Sequence, residues 1–96
     1  MRILLTGATG FIGRYIVQEL QQQAIDFVTL GRSNPDRYRN HITADLLATS
    51  DFADIVKTAQ ATHLIHLAWY AEHGKYWSSP LNLDWMQATT RLVEAF

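Results

Sequence analysis

Three glycines at three-residue spacing, placed between an apolar run and an amphipathic segment, constrain the fold of this chain more than any other feature. The run Arg2–Thr6 is apolar at every inner position, which is typical of a strand buried on both faces of a parallel sheet. Gly7, Gly10 and Gly13 follow it. Gly7 ends the strand and allows a tight turn, and Gly13 permits close packing of the next helix on the strand. The sequence therefore predicts a strand, a glycine loop and a helix in immediate succession.

The start of this helix is a candidate anion site. The backbone N–H groups of Phe11 and Ile12 lack partners within the helix, and together with the helix dipole they favour a negative charge. Gly10 removes a side chain where the backbone must approach a pyrophosphate. A P-loop is excluded, because no Gly-Lys-Ser/Thr follows the glycines. A glycine-rich turn without a ligand is the alternative interpretation.

The rest of the chain alternates strands with helices. Apolar residues at every fourth position predict that the first helix packs on a core through Ile12, Ile16, Leu20 and Ala24. Further strands are predicted at Asp26–Leu30, His41–Ala44 and Thr62–Ala68. Two more helices are predicted. One is capped by Ser50 or Asp51 and is apolar at Phe52, Ile55, Val56 and Ala59. The other starts at Ser79-Pro80 and is apolar at Leu81, Trp85, Ala88, Leu92 and Phe96.

The predicted order β-α-β-β-α-β-α indicates an α/β fold, with a parallel sheet and helices on its faces. The chain has 96 residues, enough for one domain. Its apolar content of 48% excludes a disordered tail. Its net charge of −1 indicates no excess of positive charge that would bind nucleic acid or a membrane surface. Without cysteine there is no disulfide framework and no thiolate site. The longest apolar run, Leu67–Ala71, is too short for a membrane span, and the N-terminus lacks a signal-peptide pattern, so a cytoplasmic protein is expected.

Thr6-Gly7-Ala8-Thr9-Gly10-Phe11-Ile12-Gly13 resembles the nucleotide-binding fingerprint of the extended short-chain dehydrogenase/reductases, the NAD(P)-dependent epimerase/dehydratase family. Three other stretches agree. Ala44-Asp45-Leu46 is similar to the family's pair after the third strand, Leu64–Ala68 to its fourth strand, and Thr89–Ala95 to the helix that follows. The resemblance covers the whole chain in order.

The resemblance implies the first half of a Rossmann-like fold that binds NAD(P). It implies hydride transfer between the nicotinamide and a carbon bearing a hydroxyl or carbonyl group, in a substrate such as a nucleotide sugar. The expected cofactor-binding residues are Gly7, Thr9, Gly10, Phe11, Ile12, Gly13, Arg32, Ser33, Asp45, Leu46, Leu67, Ala68 and Trp69. A homodimer of the longer protein is left open.

The choice of cofactor depends on the end of the second strand. A carboxylate there binds the ribose 2′-OH of NAD, whereas an arginine accommodates the 2′-phosphate of NADP. This chain has Arg32 and Ser33, with Arg37 and Arg39 near by, and no carboxylate in that place. The sequence therefore favours NADP. NAD stays open, because Asp36 could reach a ribose if its loop folds back.

Several other residues have two interpretations. Asp45 either contacts adenine or caps a turn. His63 and His66, three apart in a strand, point to opposite faces and cannot share a metal, so we expect His66 to be a hydrogen-bonded core residue and no metal site to form. The aromatic segment after the fourth strand either faces a substrate or packs under further chain; its residues are Tyr70, Glu72, His73, Tyr76 and Trp77. Trp69 departs from the family, which commonly has a small residue after His-Leu-Ala.

The family's catalytic Tyr-x-x-x-Lys is absent, because Tyr15, Tyr38, Tyr70 and Tyr76 are followed four residues later by Glu19, Ile42, Gly74 and Pro80. We therefore expect the chain to be the N-terminal part of a longer enzyme, with the catalytic residues beyond Phe96. The 96 residues alone are expected to have no redox activity, marginal stability and an open apolar edge at the fourth strand. The alternatives are a non-catalytic NADP-sensing regulatory module and a short chain that self-associates through that edge.

Overall fold

The computed structural model describes residues 1–69 and 81–96. Four strands form one sheet in the order β3-β2-β1-β4, and all three strand pairings are parallel. The strands are β1 (Arg2–Thr6), β2 (Asp26–Gly31), β3 (His41–Thr43) and β4 (His63–His66). The helices are α1 (Phe11–Gln22), α2 (Phe52–Ala59) and α3 (Leu81–Ala95). The predicted α/β class and order of elements are confirmed.

The sheet lies between two apolar cores, one on each face. Ile3 and Leu5 of β1 belong to the core with Val17 and Leu20 of α1. Leu4, the residue between them, belongs to the other core, to which α2 and α3 contribute Phe52, Ile55, Ala59, Ala88 and Leu92. Successive strand residues point to opposite faces. The unbroken apolar run of β1 is thus explained by burial on both sides.

The buried face of helix α1 differs in part from the predicted one. Its buried residues are Gly13, Val17 and Leu20, whereas Ile12 is 60% exposed. Ala24 is exposed and follows the helix in a left-handed backbone conformation, with φ 54°. Ile16 and Leu20 of the predicted stripe pack on the core as expected. Ile12 and Ala24 at its ends do not, because a four-residue step overshoots the 3.6-residue turn. Residues 12 apart therefore differ by about 120° around the helix.

The other two helices agree better with the prediction. Asp51, and not Ser50, caps α2, since its side chain accepts a hydrogen bond from the Asp54 N–H at 3.1 Å. In α3, Ala88 and Leu92 are buried and Trp85 is half-buried, but Leu81 and Phe96 at the ends of the predicted stripe are exposed. The predicted start of this helix at residues 79–80 lies outside the described residues. None of the helices in the described ranges is long and apolar enough to cross a membrane.

Strand β4 lies at one edge of the sheet that the described residues form, as the sequence predicts. Its ladder with β1 extends beyond the strand itself, because the Thr62 N–H donates to the Arg2 carbonyl at 2.8 Å and the Leu67 N–H to the Thr6 carbonyl at 3.2 Å. The inner residues of β4 are half-buried. The chain crosses from β3 on one side of β1 to β4 on the other, and such a switch of direction opens a crevice at the carboxyl ends of the strands.

Replacing Gly13 by alanine should destabilise the fold. A Cβ there would overlap the carbonyl oxygen of Gly7, so the helix or the loop must move. We expect the free energy of unfolding to fall by about 1–3 kcal/mol, measured by urea denaturation. Gly31→Ala is the matched control, because its nearest neighbour would be 3.9 Å away; it should change stability by less than about 1 kcal/mol. Equal stability of the Gly13→Ala protein and wild type would contradict the close packing described here.

Candidate functional site

A cavity of about 540 Å³ lies at the carboxyl ends of the strands. The segments that follow all four strands contribute to its wall. The residues that the sequence singles out for a cofactor all line it: Gly7, Thr9, Gly10, Phe11, Ile12, Gly13, Arg32, Ser33, Asp45, Leu46, Leu67, Ala68 and Trp69. The fold thus brings together residues that are up to 62 positions apart in sequence.

The glycine loop has room for backbone but little for side chains. Gly7 has φ +75°, and a Cβ on it would lie 2.8 Å from the backbone nitrogen of Ala68. The Gly10 N–H donates to the Gly7 carbonyl at 3.1 Å and closes the turn. A Cβ on Gly10 itself would approach only the Gly7 carbonyl oxygen, at 3.4 Å. Packing within the protein therefore requires glycine at 7, whereas Gly10 chiefly leaves the wall of the cavity open.

The N-terminus of α1 faces this cavity with unsatisfied donors. Gly10 is the N-cap residue and has no side chain to cap the helix, and the first turn holds no acidic residue. The first N–H groups of a helix have no carbonyl partner within it. Phe11 and Ile12, whose N–H groups are among these, line the cavity. The arrangement suits an anion, because the donors and the helix dipole both favour negative charge.

A buried hydroxyl fixes the end of β4 against the end of β1. Thr6 Oγ1 accepts hydrogen bonds from the backbone N–H groups of Leu67 and Ala68, each at 3.1 Å. A hydroxyl has one proton and two acceptor positions, so Thr6 donates its proton to His66 Nδ1, 2.6 Å away. His66 then carries its proton on Nε2 and donates it to Thr89 Oγ1 at 2.8 Å. This network assigns the tautomer and joins β1, β4 and α3.

The prediction that His66 is a hydrogen-bonded core residue is confirmed. Burial lowers the pKa of His66 below its ordinary value. His63 and His66 pair with Ile3 and Thr6 of β1, which point to opposite faces of the sheet. In the two described stretches of the chain, no group of three histidine or carboxylate side chains could hold a metal ion.

The loop between β2 and β3 brings one arginine and one serine to the cavity, whereas its carboxylate lies elsewhere. Arg32 and Ser33 are exposed and line the cavity. Asn34 closes the loop, since its amide accepts from the Tyr38 N–H and donates to the Tyr38 carbonyl, both at 2.9 Å. Asp36 lies 3.5 Å from Arg14 Nε and accepts a hydrogen bond from the Tyr38 hydroxyl at 3.2 Å. It is not part of the cavity wall.

Two features of this loop bear on the choice of cofactor. Arg37 and Arg39 are absent from the cavity wall, and Arg39 lines a smaller pocket together with Asp26, at the amino end of β2. Asp36 does not fold back towards the cavity, because the contacts with Arg14 and Tyr38 hold it elsewhere. Burial, followed by the hydrogen bond and negative charge of Asp36, raises the pKa of Tyr38, so this phenol remains a donor to the carboxylate.

Asp45 caps a turn, which is one of its two predicted interpretations, and it stands at the cavity. Its Oδ1 accepts a hydrogen bond from the Leu47 N–H at 3.0 Å, which is a turn cap, and the residue also lines the cavity. Leu46 beside it is buried in the core and reaches the cavity wall. The residues Tyr70, Glu72, His73, Tyr76 and Trp77, for which a substrate-facing role was one expectation, lie outside the described residues.

Further residues of the cavity wall were not predicted from the sequence, among them Asn34, Tyr38, His41 and Trp85. His41 Nδ1 lies 2.6 Å from Thr29 Oγ1, and its Nε2 is buried without a hydrogen-bond partner in the described part of the chain. Asn34 lies in the run Ser33-Asn34-Pro35-Asp36, which is typical of a turn, but this pattern does not say which side chain closes the turn. Trp85 fits a helical core stripe, so nothing in the pattern indicates that it also reaches the cavity.

Comparison with known proteins gives consistent results. The sequence model of the NAD dependent epimerase/dehydratase family matches residues 3–96. The dTDP-6-deoxy-L-talose 4-dehydrogenase (NAD(+)) of Aggregatibacter actinomycetemcomitans is 33% identical, over 74% of this chain and 28% of that protein. The UDP-glucose 4-epimerase of Thermus thermophilus, in complex with NAD, superposes with a TM-score of 0.83 at 23% identity, covering 99% of this chain and 33% of that one. MoeE5 in complex with UDP-glucose and NAD superposes with a TM-score of 0.75 at 29% identity, covering 99% and 32%. The chain thus spans about a third or less of each relative.

Protonation of His66 should make stability depend on pH. The pKa of His66 is lowered in the folded state, so below its ordinary value of 6.5 the unfolded chain takes up a proton that the folded chain does not. We expect the free energy of unfolding to fall as the pH decreases from 6.5 to the lowered pKa, and to level off for this group below it. Urea denaturation at several pH values measures the slope. His66→Gln should flatten it and His63→Gln, on the exposed end of the same strand, should not; the same slope in His66→Gln as in wild type would refute the assignment.

Proposed function

The chain belongs to the NAD dependent epimerase/dehydratase family, and on that premise we propose that residues 1–96 are the first half of its dinucleotide-binding domain. The observation that carries the proposal is the cavity, whose wall combines a side-chain-free glycine loop, a helix N-terminus and the thirteen residues expected from the sequence. A glycine-rich turn without a ligand would not require glycine at position 10, where a Cβ would approach only the Gly7 carbonyl oxygen, at 3.4 Å.

The residues around the cavity fit a dinucleotide. We assign the pyrophosphate to the backbone N–H groups of Phe11 and Ile12, next to the open wall left by Gly10. The adenosine is assigned to Asp45 and Leu46. The remaining proposed contacts are Gly7, Thr9, Gly13, Leu67, Ala68 and Trp69. When bound, the dinucleotide supplies a nicotinamide carbon that gives or accepts a hydride. The chain itself binds and orients this group and shields part of it from water.

Within the dinucleotides, we propose NADP. Arg32 and Ser33 lie at the end of β2 with their side chains exposed at the cavity. Both residue types bind phosphate oxygens well. The one carboxylate of the following loop, Asp36, is held by Arg14 and Tyr38. The relatives described above are named with NAD, so the proposal depends on the residues that this chain itself places there.

We further propose that the longer protein is a dehydrogenase, epimerase or dehydratase that acts on a nucleotide sugar. The support is that relatives at 33% and 29% identity are named for a dTDP-sugar substrate and for UDP-glucose. No tyrosine of residues 1–96 is followed four positions later by lysine, so the acid/base groups are proposed to lie elsewhere in the enzyme. The names of these relatives give no support to the alternative of a non-catalytic sensor. They are enzyme names, or they describe a complex with NAD and a nucleotide sugar.

Replacing Arg32 by alanine tests the cofactor proposal. A charge-assisted hydrogen bond contributes about 1.5–3 kcal/mol, so the affinity for NADPH should fall on the order of ten- to a hundredfold. The affinity for NADH should not change, because NADH has no 2′-phosphate. Isothermal titration calorimetry with both dinucleotides measures the two dissociation constants.

The matched control is Arg39→Ala, which removes an equally exposed arginine of the same loop that does not line the cavity. It should leave both affinities as in wild type. An equal loss for NADPH and NADH in Arg32→Ala would argue against NADP selection. Failure of the wild-type protein to bind either dinucleotide would overturn the proposed function itself.

A further inference from the structure

Two tryptophan side chains stack on each other beside the end of β4. The rings of Trp69 and Trp85 stack with centroids 6.2 Å apart and an angle of 27° between their planes. Trp69 Nε1 donates a hydrogen bond to Asn82 Oδ1 at 2.8 Å. Both indoles line the cavity, and Trp69 is 43% exposed. A large aromatic surface is therefore available at one end of the site.

Three sets of contacts fix the orientation of Trp69. Its backbone follows directly on Leu67 and Ala68, whose N–H groups are held by the buried Thr6 hydroxyl. Its indole N–H is bonded to Asn82, and its ring stacks on Trp85. What remains for a ligand is aromatic carbon surface, which binds by stacking and not by hydrogen bonding. A group already held in this way loses little conformational entropy when a ligand arrives.

The sheet order sets this surface apart from the adenosine end. In the order β3-β2-β1-β4 the glycine loop follows the strand between β2 and β4. Arg32 and Asp45 follow β2 and β3 on one side of it, and Trp69 follows β4 on the other. A dinucleotide has one nucleoside on each side of its pyrophosphate. With adenosine on the β2–β3 side, its second nucleoside lies on the side of Trp69.

We infer that the Trp69–Trp85 pair is a stacking wall for the heteroaromatic ring of the second nucleoside, and that it selects ligands that carry such a ring there. This inference rests on the proposed function and deepens it. Asn82 holds the Trp69 indole in this arrangement through its hydrogen bond to Nε1. The wall adds affinity for the nicotinamide half of the molecule alone.

The test compares two ligands that differ only in the ring. One is NADP⁺, and the other is 2′-phospho-ADP-ribose, which is the same molecule without nicotinamide. Dissociation constants are measured by calorimetry for the polypeptide as its gene encodes it and for Trp69→Ala and Trp69→Phe. Trp69→Ala should weaken NADP⁺ about three- to tenfold and leave 2′-phospho-ADP-ribose unchanged. Trp69→Phe should restore most of the lost affinity, because a phenyl ring also stacks.

Leu83→Ala is the control, since Leu83 is an exposed apolar residue of α3 outside the cavity wall; it should change neither affinity. Equal weakening of both ligands by Trp69→Ala would overturn the inference, because it would assign Trp69 a general structural role. Unchanged binding of both ligands would overturn it as well, while the proposed function would stand. If wild type binds neither ligand, the proposed function fails, and the inference fails with it.

Discussion

The structure depends on the close contact between the first turn of α1 and the loop that leaves β1. A Cβ on Gly13 would overlap the Gly7 carbonyl oxygen, so the helix can approach this near only because position 13 is glycine. The contact sets the rotation of α1, which turns Val17 and Leu20 towards the sheet and leaves Ile12 at the rim of the cavity. It also places the free N–H groups of the helix at the carboxyl end of the central strand. The same contact therefore determines both how α1 packs on the sheet and where the candidate site lies.

The Thr6 hydroxyl connects the end of β1 to β4 and, through a chain of hydrogen bonds, to α3. It is fully buried and bonds to two backbone N–H groups and one imidazole nitrogen. His66 in turn donates to Thr89, so hydrogen bonds between partly buried side chains join the end of β1, the edge strand β4 and helix α3. Such a network keeps Leu67–Trp69 in one place. The part of the cavity wall that follows β4 is therefore held in place by hydrogen bonds.

The sequence predicts this fold well where local patterns decide it. The glycine spacing, the apolar strands and the Asp51 cap are short-range signals, and each has its counterpart in the structure. The ends of the predicted α1 stripe, Ile12 and Ala24, are exposed, because a four-residue spacing drifts around a helix with 3.6 residues per turn. The roles of Thr6, Asn34 and Trp85 depend on partners that only the folded chain brings near. The thirteen expected site residues share one cavity because they follow the ends of parallel strands, which the order of elements already implies.

Amide NMR spectra recorded during titration with NADP⁺ would locate the dinucleotide site residue by residue, because each backbone N–H reports its own environment. We predict that the largest shift changes fall on Gly10–Gly13, on Arg32 and Ser33, and on Ala68 and Trp69. Amides at the opposite end of the sheet, such as those of Asp26 and Arg39, should stay unchanged. Shift changes concentrated at that opposite end, or no changes at saturating NADP⁺, would contradict a dinucleotide site at the glycine loop.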